Sequence, residues 1–118
     1  MKKLSDVVIW RKANKISKEV QATVENLDWE ESISLKERIT TTIAEVPCFI
    51  EKGYSEKENL VEALDKAKKA SQKARSLVYD SFIENYLTKE DFDYLYNELA
   101  HLSSDIGKSK INLLFPGR

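Results

Sequence analysis

Between residues 5 and 27 the apolar side chains fall at Ile9, Ala13, Ile16, Val20, Val24 and Leu27. Steps of three and four keep them on one face of a helix and leave the rest of its circumference polar. The pattern predicts a first helix over 5–27. A second, over 34–52, aligns Leu35, Ile39, Ile43, Val46 and Ile50. A third and longest, over 56–84, carries Leu60, Leu64, Ala67, Ser71, Ala74, Val78 and Phe82, and a fourth, over 89–114, carries Phe92, Leu95, Leu99, Leu102 and Ile106, with Leu113 extending the stripe. Short connections favour antiparallel neighbours, so the expected fold is all-α: one antiparallel up-down-up-down four-helix bundle spanning 1–118.

Local signals mark the helix ends. Ser34 with Glu37, and Ser55 with Glu58, have capping-box spacing, and Thr88 with Asp91 resembles them. Gly53 is placed as the left-handed residue beyond the second helix, and Asn85, which tolerates that conformation, ends the third. The middle of the third helix is small, Ala67, Ala70, Ser71 and Ala74, which admits a neighbouring backbone closely. Pro47 conflicts with its surroundings. Inside a helix it removes a donor, clashes with the carbonyl of Ile43 and costs about 3 kcal/mol or more. On a helical wheel it lies beside Ile43, Val46 and Ile50, so the expectation is a bend that fits the packing.

Composition agrees with a helical chain. The 118 residues include three glycines and two prolines, and this length buries a core without disulfide or metal staples. The single cysteine, Cys48, forms no intrachain disulfide, and no stretch approaches membrane-spanning length, so the expectation is a cytoplasmic protein with no membrane partner. A formal net charge of −1 conceals a division. Lys2, Lys3, Arg11, Lys12, Lys15 and Lys18 face only Asp6 in the first 18 residues, whereas residues 80–105 hold Asp80, Glu84, Glu90, Asp91, Asp93, Glu98 and Asp105 against Lys89. Such segments complement one another within a bundle or between subunits, or they serve a polyanion.

Candidate chemistry is sparse. His101 falls nearly opposite the stripe of the fourth helix and Cys48 opposite that of the second, and neither has the neighbours a nucleophile or general base requires. No metal, phosphate-loop or catalytic motif is recognisable, so neither an enzyme nor a cofactor is expected. Binding residues are better represented. Arg11, Lys15 and Lys18 form one basic stripe, and Lys66, Lys69 and Lys73 another, which are candidate RNA or DNA contacts. Trp10, Phe49, Val61 and Tyr79 lie off the core stripes and are candidate anchors of a contact between copies of the chain or with a protein partner.

The segments "DVVIWRKA", "VPCFIEKGY" and "ENYLTKEDFDYLYNEL", in that order, resemble the bacterial four-helix bundle proteins known as 23S rRNA intervening-sequence proteins. Where that family commonly reads S-I-P-S-N-I-A-E-G-Y, Val46, Pro47, Ile50, Gly53 and Tyr54 match, and Glu45, Cys48, Phe49, Glu51 and Lys52 depart. The resemblance implies an up-down bundle assembled as a pentameric ring. It also points to the accessory variability proteins of diversity-generating retroelements, which share the bundle and are thought to bind nucleic acid and a reverse transcriptase. The expected function is therefore a non-enzymatic, self-associating bundle that contacts RNA or a nucleoprotein; the alternative is an interaction module with no nucleic-acid role.

Overall fold

The computed structural model describes residues 7–26, 33–55 and 59–116. Within them lie four helices and no strand: α1 (Val8–Glu25), α2 (Ile33–Ser55), α3 (Leu60–Ile83) and α4 (Lys89–Leu114). The chain is all-α. None of these helices is long and apolar enough to cross a membrane.

The stripes read from the sequence form the core. Ala13, Val20, Ile39, Ile43, Val46, Ile50, Leu64, Leu99 and Ile106 are wholly shielded, and Leu35, Leu60 and Phe92 pack against them half-buried. Each large apolar side chain so removed from water contributes about 1.5–3 kcal/mol before chain entropy is subtracted. α1 packs on α2, α2 on α3, α3 on α4, and α4 returns to α1; among the described residues no close contact joins α1 to α3 or α2 to α4. The α1–α4 seam is the sparsest of the four.

Polar pairs set the register across two seams. Lys12 meets Asp105, and Tyr94 donates to Glu19 at 2.9 Å. Lys110 meets Asp65, Ser71 meets Ser103, and Arg75 donates to the Tyr96 carbonyl. Where α3 carries its small residues, the Ser71 and Ser103 hydroxyls approach to 2.6 Å. Because Ser71 already donates to the carbonyl of Lys68 at 2.8 Å, Ser103 is the donor of that pair.

Several boundaries differ from the sequence expectation. α2 begins at Ile33, so Ser34 lies within its first turn and does not cap it. α2 also runs on to Ser55, whose hydroxyl donates back to the Glu51 carbonyl, and Asn59 caps α3 by accepting from the Glu62 amide. Asx side chains favour that position as strongly as serine does. Gly53 is accordingly not a left-handed terminus but a buried helical residue. Its missing side chain matters for another reason: a Cβ there would lie 2.7 Å from the Ala63 Cβ and 2.9 Å from a Leu60 methyl. The glycine lets α2 and α3 close together.

Leu113 does not extend the core; it is exposed beside Ile111, Leu114 and Phe115. Asn112 already lines a groove with Val8, the first residue of α1, so the last turn of α4 runs past its partner. Leu27 and Glu58 lie outside the described residues. Other signals hold. Asn85 is left-handed at φ 65°, and Thr88 caps α4 by accepting from the Asp91 amide at 3.1 Å. Pro47 sits half-buried in α2, which continues through it, with Val46 and Ile50 fully enclosed alongside.

Candidate functional site

Among the described residues the two basic stripes occupy helices with no close backbone contact. Arg11, Lys15 and Lys18 are exposed on α1, opposite its buried face, and Lys66, Lys69 and Lys73 are exposed on α3. Half of these cations already face a carboxylate on their own helix: Lys15 lies 3.9 Å from Glu19, Lys66 3.9 Å from Glu62 and Lys69 3.1 Å from Asp65. Arg11, Lys18 and Lys73 have no ion-pair partner among the described residues. The α3 lysines share a shallow groove of about 240 Å³ with Phe49, Glu45 and Ala70 on the α2–α3 seam, so charge and an aromatic ring meet there.

The off-stripe apolar residues divide into two kinds. Trp10 and Phe49 are half-buried and pack against the chain's own core. The indole Nε1 of Trp10 is buried without an acceptor among the described residues, a state that costs about 1–3 kcal/mol. Val61 is half-buried and Tyr79 exposed. At about 100° per residue these two share one flank of α3 with Lys68 and Gln72, the flank that meets α4.

Tyr79 also borders an aromatic stack that sequence periodicity did not reveal. Phe82 stacks on Phe92 with ring centres 4.3 Å apart, Phe92 stacks on Tyr96 at 4.9 Å, and the Arg75 guanidinium covers the Tyr96 ring at 3.6 Å. The Tyr79 ring leans on Phe92 and Tyr96 at 6.2 and 6.3 Å. The members come from two helices, so no spacing along one of them could have announced the cluster. Arg75, a cation off both lysine stripes, was missed for the same reason.

No family model, curated protein or solved structure matches the chain. Its own geometry is therefore the guide.

A groove of about 410 Å³ follows the α1–α4 seam. Ile16 and Leu102 form its floor, with Lys12, Lys15, Glu98, His101, Asp105 and Lys108 around them. Lys12 and Asp105 join across the seam at 2.8 Å, so part of the charge division between the first and fourth helices is matched within the chain. His101 and Cys48 are both exposed, as expected. Among the described residues no three His, Cys, Asp or Glu side chains converge as metal ligands.

Three groups have displaced proton affinities. The Asp65 carboxyl is held below the usual carboxylate range by the hydrogen bond from Lys110 and then that from Lys69. The Tyr94 hydroxyl is raised, chiefly because it donates to Glu19. Partial burial raises Tyr54. Asp65 and Tyr94 make these hydrogen bonds across the α3–α4 and α1–α4 seams.

Proposed function

We propose that the chain is an antiparallel, up-down-up-down four-helix bundle without catalytic activity, which associates with copies of itself through the α3–α4 face and serves as a docking module. The order of the cross-seam pairs supports the arrangement: residue numbers rise along α1 from Lys12 to Glu19 while their α4 partners fall from Asp105 to Tyr94, and α3 and α4 show the same reversal. Gly53 near the end of α2 lies against Leu60 and Ala63 at the start of α3, which supports the same reversal there.

The observation that carries self-association is the aromatic stack on the α3–α4 seam, where Tyr79 remains 46% exposed. Val61 and the exposed Ile111 and Leu114 lie toward the other end of the same two helices. Rigid aromatic side chains are what interface centres use as anchors. The resemblance to the 23S rRNA intervening-sequence proteins adds a pentameric ring and a bacterial cytoplasmic setting to this reading. Sedimentation velocity tests it. An oligomer that loses mass on Tyr79→Ser, with helicity unchanged, is the expected result; a monomer at about 100 μM overturns the reading, because standard-size interfaces bind well below that concentration.

A second reading, RNA contact, is favoured by the groove that places Lys66, Lys69 and Lys73 beside Phe49. Lysines bind the backbone while an aromatic ring stacks a base. Among the described residues α1 makes no close contact with α3, so the α1 stripe presents a separate face to an RNA. Affinity for a structured RNA should then fall steeply from about 50 to 200 mM salt and flatten on replacing the three α3 lysines with Gln. No binding at low salt leaves the protein-docking reading alone.

A further inference from the structure

α4 ends in an apolar turn that the rest of the bundle only half covers. We propose that this end docks on an anionic lipid surface, with the long axis of the bundle standing away from the bilayer. Ile111, Leu113, Leu114 and Phe115 are each between 43% and 55% exposed. At about 100° per residue they spread over more than half of the helix circumference, and only Asn112 interrupts them. The exposed Val8 lies beside Asn112 and extends the patch. A turn that is apolar nearly all round is buried by a medium that surrounds it, whereas a flat protein contact shields one side.

Charge identifies the medium. In the described residues of that end, 8–14, 46–55, 60–69 and 105–114, Lys12 matches Asp105, Lys66 matches Glu62, and Lys69 matches Asp65, which Lys110 shares. Arg11, Lys52, Lys68, Lys108 and Lys110 then stand against Glu51 alone, a surplus of four positive charges. Further along the bundle Lys15 faces Glu19, and Glu45 shares a groove with Lys73, so the surplus is not offset there. Segments that adjoin this end in the sequence, 1–6, 56–58 and 117–118, hold four more cations and three carboxylates. The opposite end is acidic: five carboxylates within 80–93 outnumber Arg75 and Lys89.

Each cation held near an anionic membrane adds about fivefold in affinity. The five residues 111–115 rise about 7 Å along the helix, which matches the depth of about 5–10 Å at which interfacial apolar side chains lie. A second copy fits less well. Two basic ends repel each other, and end-on a bundle 25 by 20 Å across presents less than the about 800 Å² per partner that stable protein contacts bury. Surface docking needs no spanning helix, so the sequence expectation of no membrane partner, which rested on length, does not bear on it.

The test is flotation of the protein with vesicles of phosphatidylcholine alone and with about 30% phosphatidylserine. Affinity for the anionic vesicles should be at least about tenfold above that for neutral ones and should fall as salt rises from about 50 to 500 mM. Leu113→Ser with Leu114→Ser should weaken it at least about tenfold, and Arg11→Gln with Lys108→Gln at least about fivefold. Lys18→Gln with Arg38→Gln, exposed toward the acidic end, should leave it unchanged. In a Cys48→Ser background, an environment-sensitive dye attached through Leu113→Cys should shift to the blue on anionic vesicles, and one attached through Lys89→Cys should not. No flotation at low salt, equal binding to neutral vesicles, indifference to either pair of end variants, or a blue shift at Lys89 overturns the proposal. An oligomer that loses mass on Leu113→Ser with Leu114→Ser, while vesicles leave the protein unbound, also overturns it and makes a second copy the occupant. Circular dichroism of each variant establishes that the fold persists, and the dye reports on the end even where a serine variant does not fold. The proposal does not rest on the α3–α4 contact, whose loss in Tyr79→Ser should change mass and leave flotation intact.

Discussion

Gly53→Ala should destabilise the protein although it improves helix propensity. Alanine in place of glycine inside a helix normally gains about 1 kcal/mol. At Gly53 the new methyl would sit 2.7 Å from the Ala63 Cβ and 2.9 Å from the Leu60 Cδ1, whereas ordinary contacts begin near 3.4 Å. Leu60 can turn its methyl aside, but the Ala63 Cβ is fixed to the α3 backbone. Relief therefore requires α2 and α3 to part by several tenths of an ångström, loosening Val46, Ile50 and Leu64, all fully enclosed. Overpacking of this kind costs about 1–3 kcal/mol, and with the propensity gain subtracted the net loss is about 1 kcal/mol. Urea unfolding followed by circular dichroism reads that as a lower midpoint at unchanged m, with Tm lower by roughly 4 °C. The double variant Gly53→Ala with Ala63→Gly removes the opposing methyl and should show a favourable coupling of about 1 kcal/mol. A Gly53→Ala protein more stable than wild type, or a cycle without coupling, would refute the close-approach explanation.

The buried hydroxyl pair should be asymmetric: Ser103→Ala leaves Ser71 donating to Lys68, whereas Ser71→Ala removes the acceptor of a buried donor and should cost about 1–3 kcal/mol in urea unfolding. Equal costs for the two would contradict the donor assignment. Because the Asp65 carboxyl is depressed by Lys110 and Lys69, its contribution is present above the unfolded value near 4 and is lost as pH falls through the folded one. Asp65→Asn should therefore lose less stability than wild type on acidification from about pH 5 to pH 2, and parallel acid limbs would argue against that assignment. Pro47→Ala restores a donor to the Ile43 carbonyl but disturbs the packing of Val46 and Ile50, so stability should stay within about 1 kcal/mol of wild type while oligomer mass falls. A variant both clearly more stable and fully assembled would show that the proline has no structural purpose.

The helices and their inward faces were legible because burial follows period, and a run such as Leu95, Leu99, Leu102 and Ile106 has only one way to be shielded. Caps were legible where a single side chain decides, as at Thr88 and Asn85. Gly53 was misread because a glycine near the end of a periodic run looks the same whether it turns the chain or admits a neighbour; only the approach of Ala63 distinguishes the two. Ser55 and Asn59 are both good caps, and nothing local ranks them. The candidate surfaces were legible as faces but not as sites. That Lys66 and Lys73 flank Phe49, that Arg75 covers Tyr96, and that Lys15 and Lys108 share a groove depend on which helices are adjacent, information that no single helical period contains.

Adjacency also sets how the molecule comes apart. Three of the four seams join helices consecutive in the chain; the α1–α4 seam alone closes across the whole intervening sequence, and it is the sparsest. Closing it incurs the largest loop entropy and returns the fewest contacts. α1 is therefore the unit that detaches first in native-state fluctuations, with α2, α3 and α4 remaining packed in succession, and its amides exchange with solvent ahead of those at the centre of α3. The seam that opens most readily is the one spanned by Lys12 and Asp105, so that ion pair sits on the fold's weakest closure.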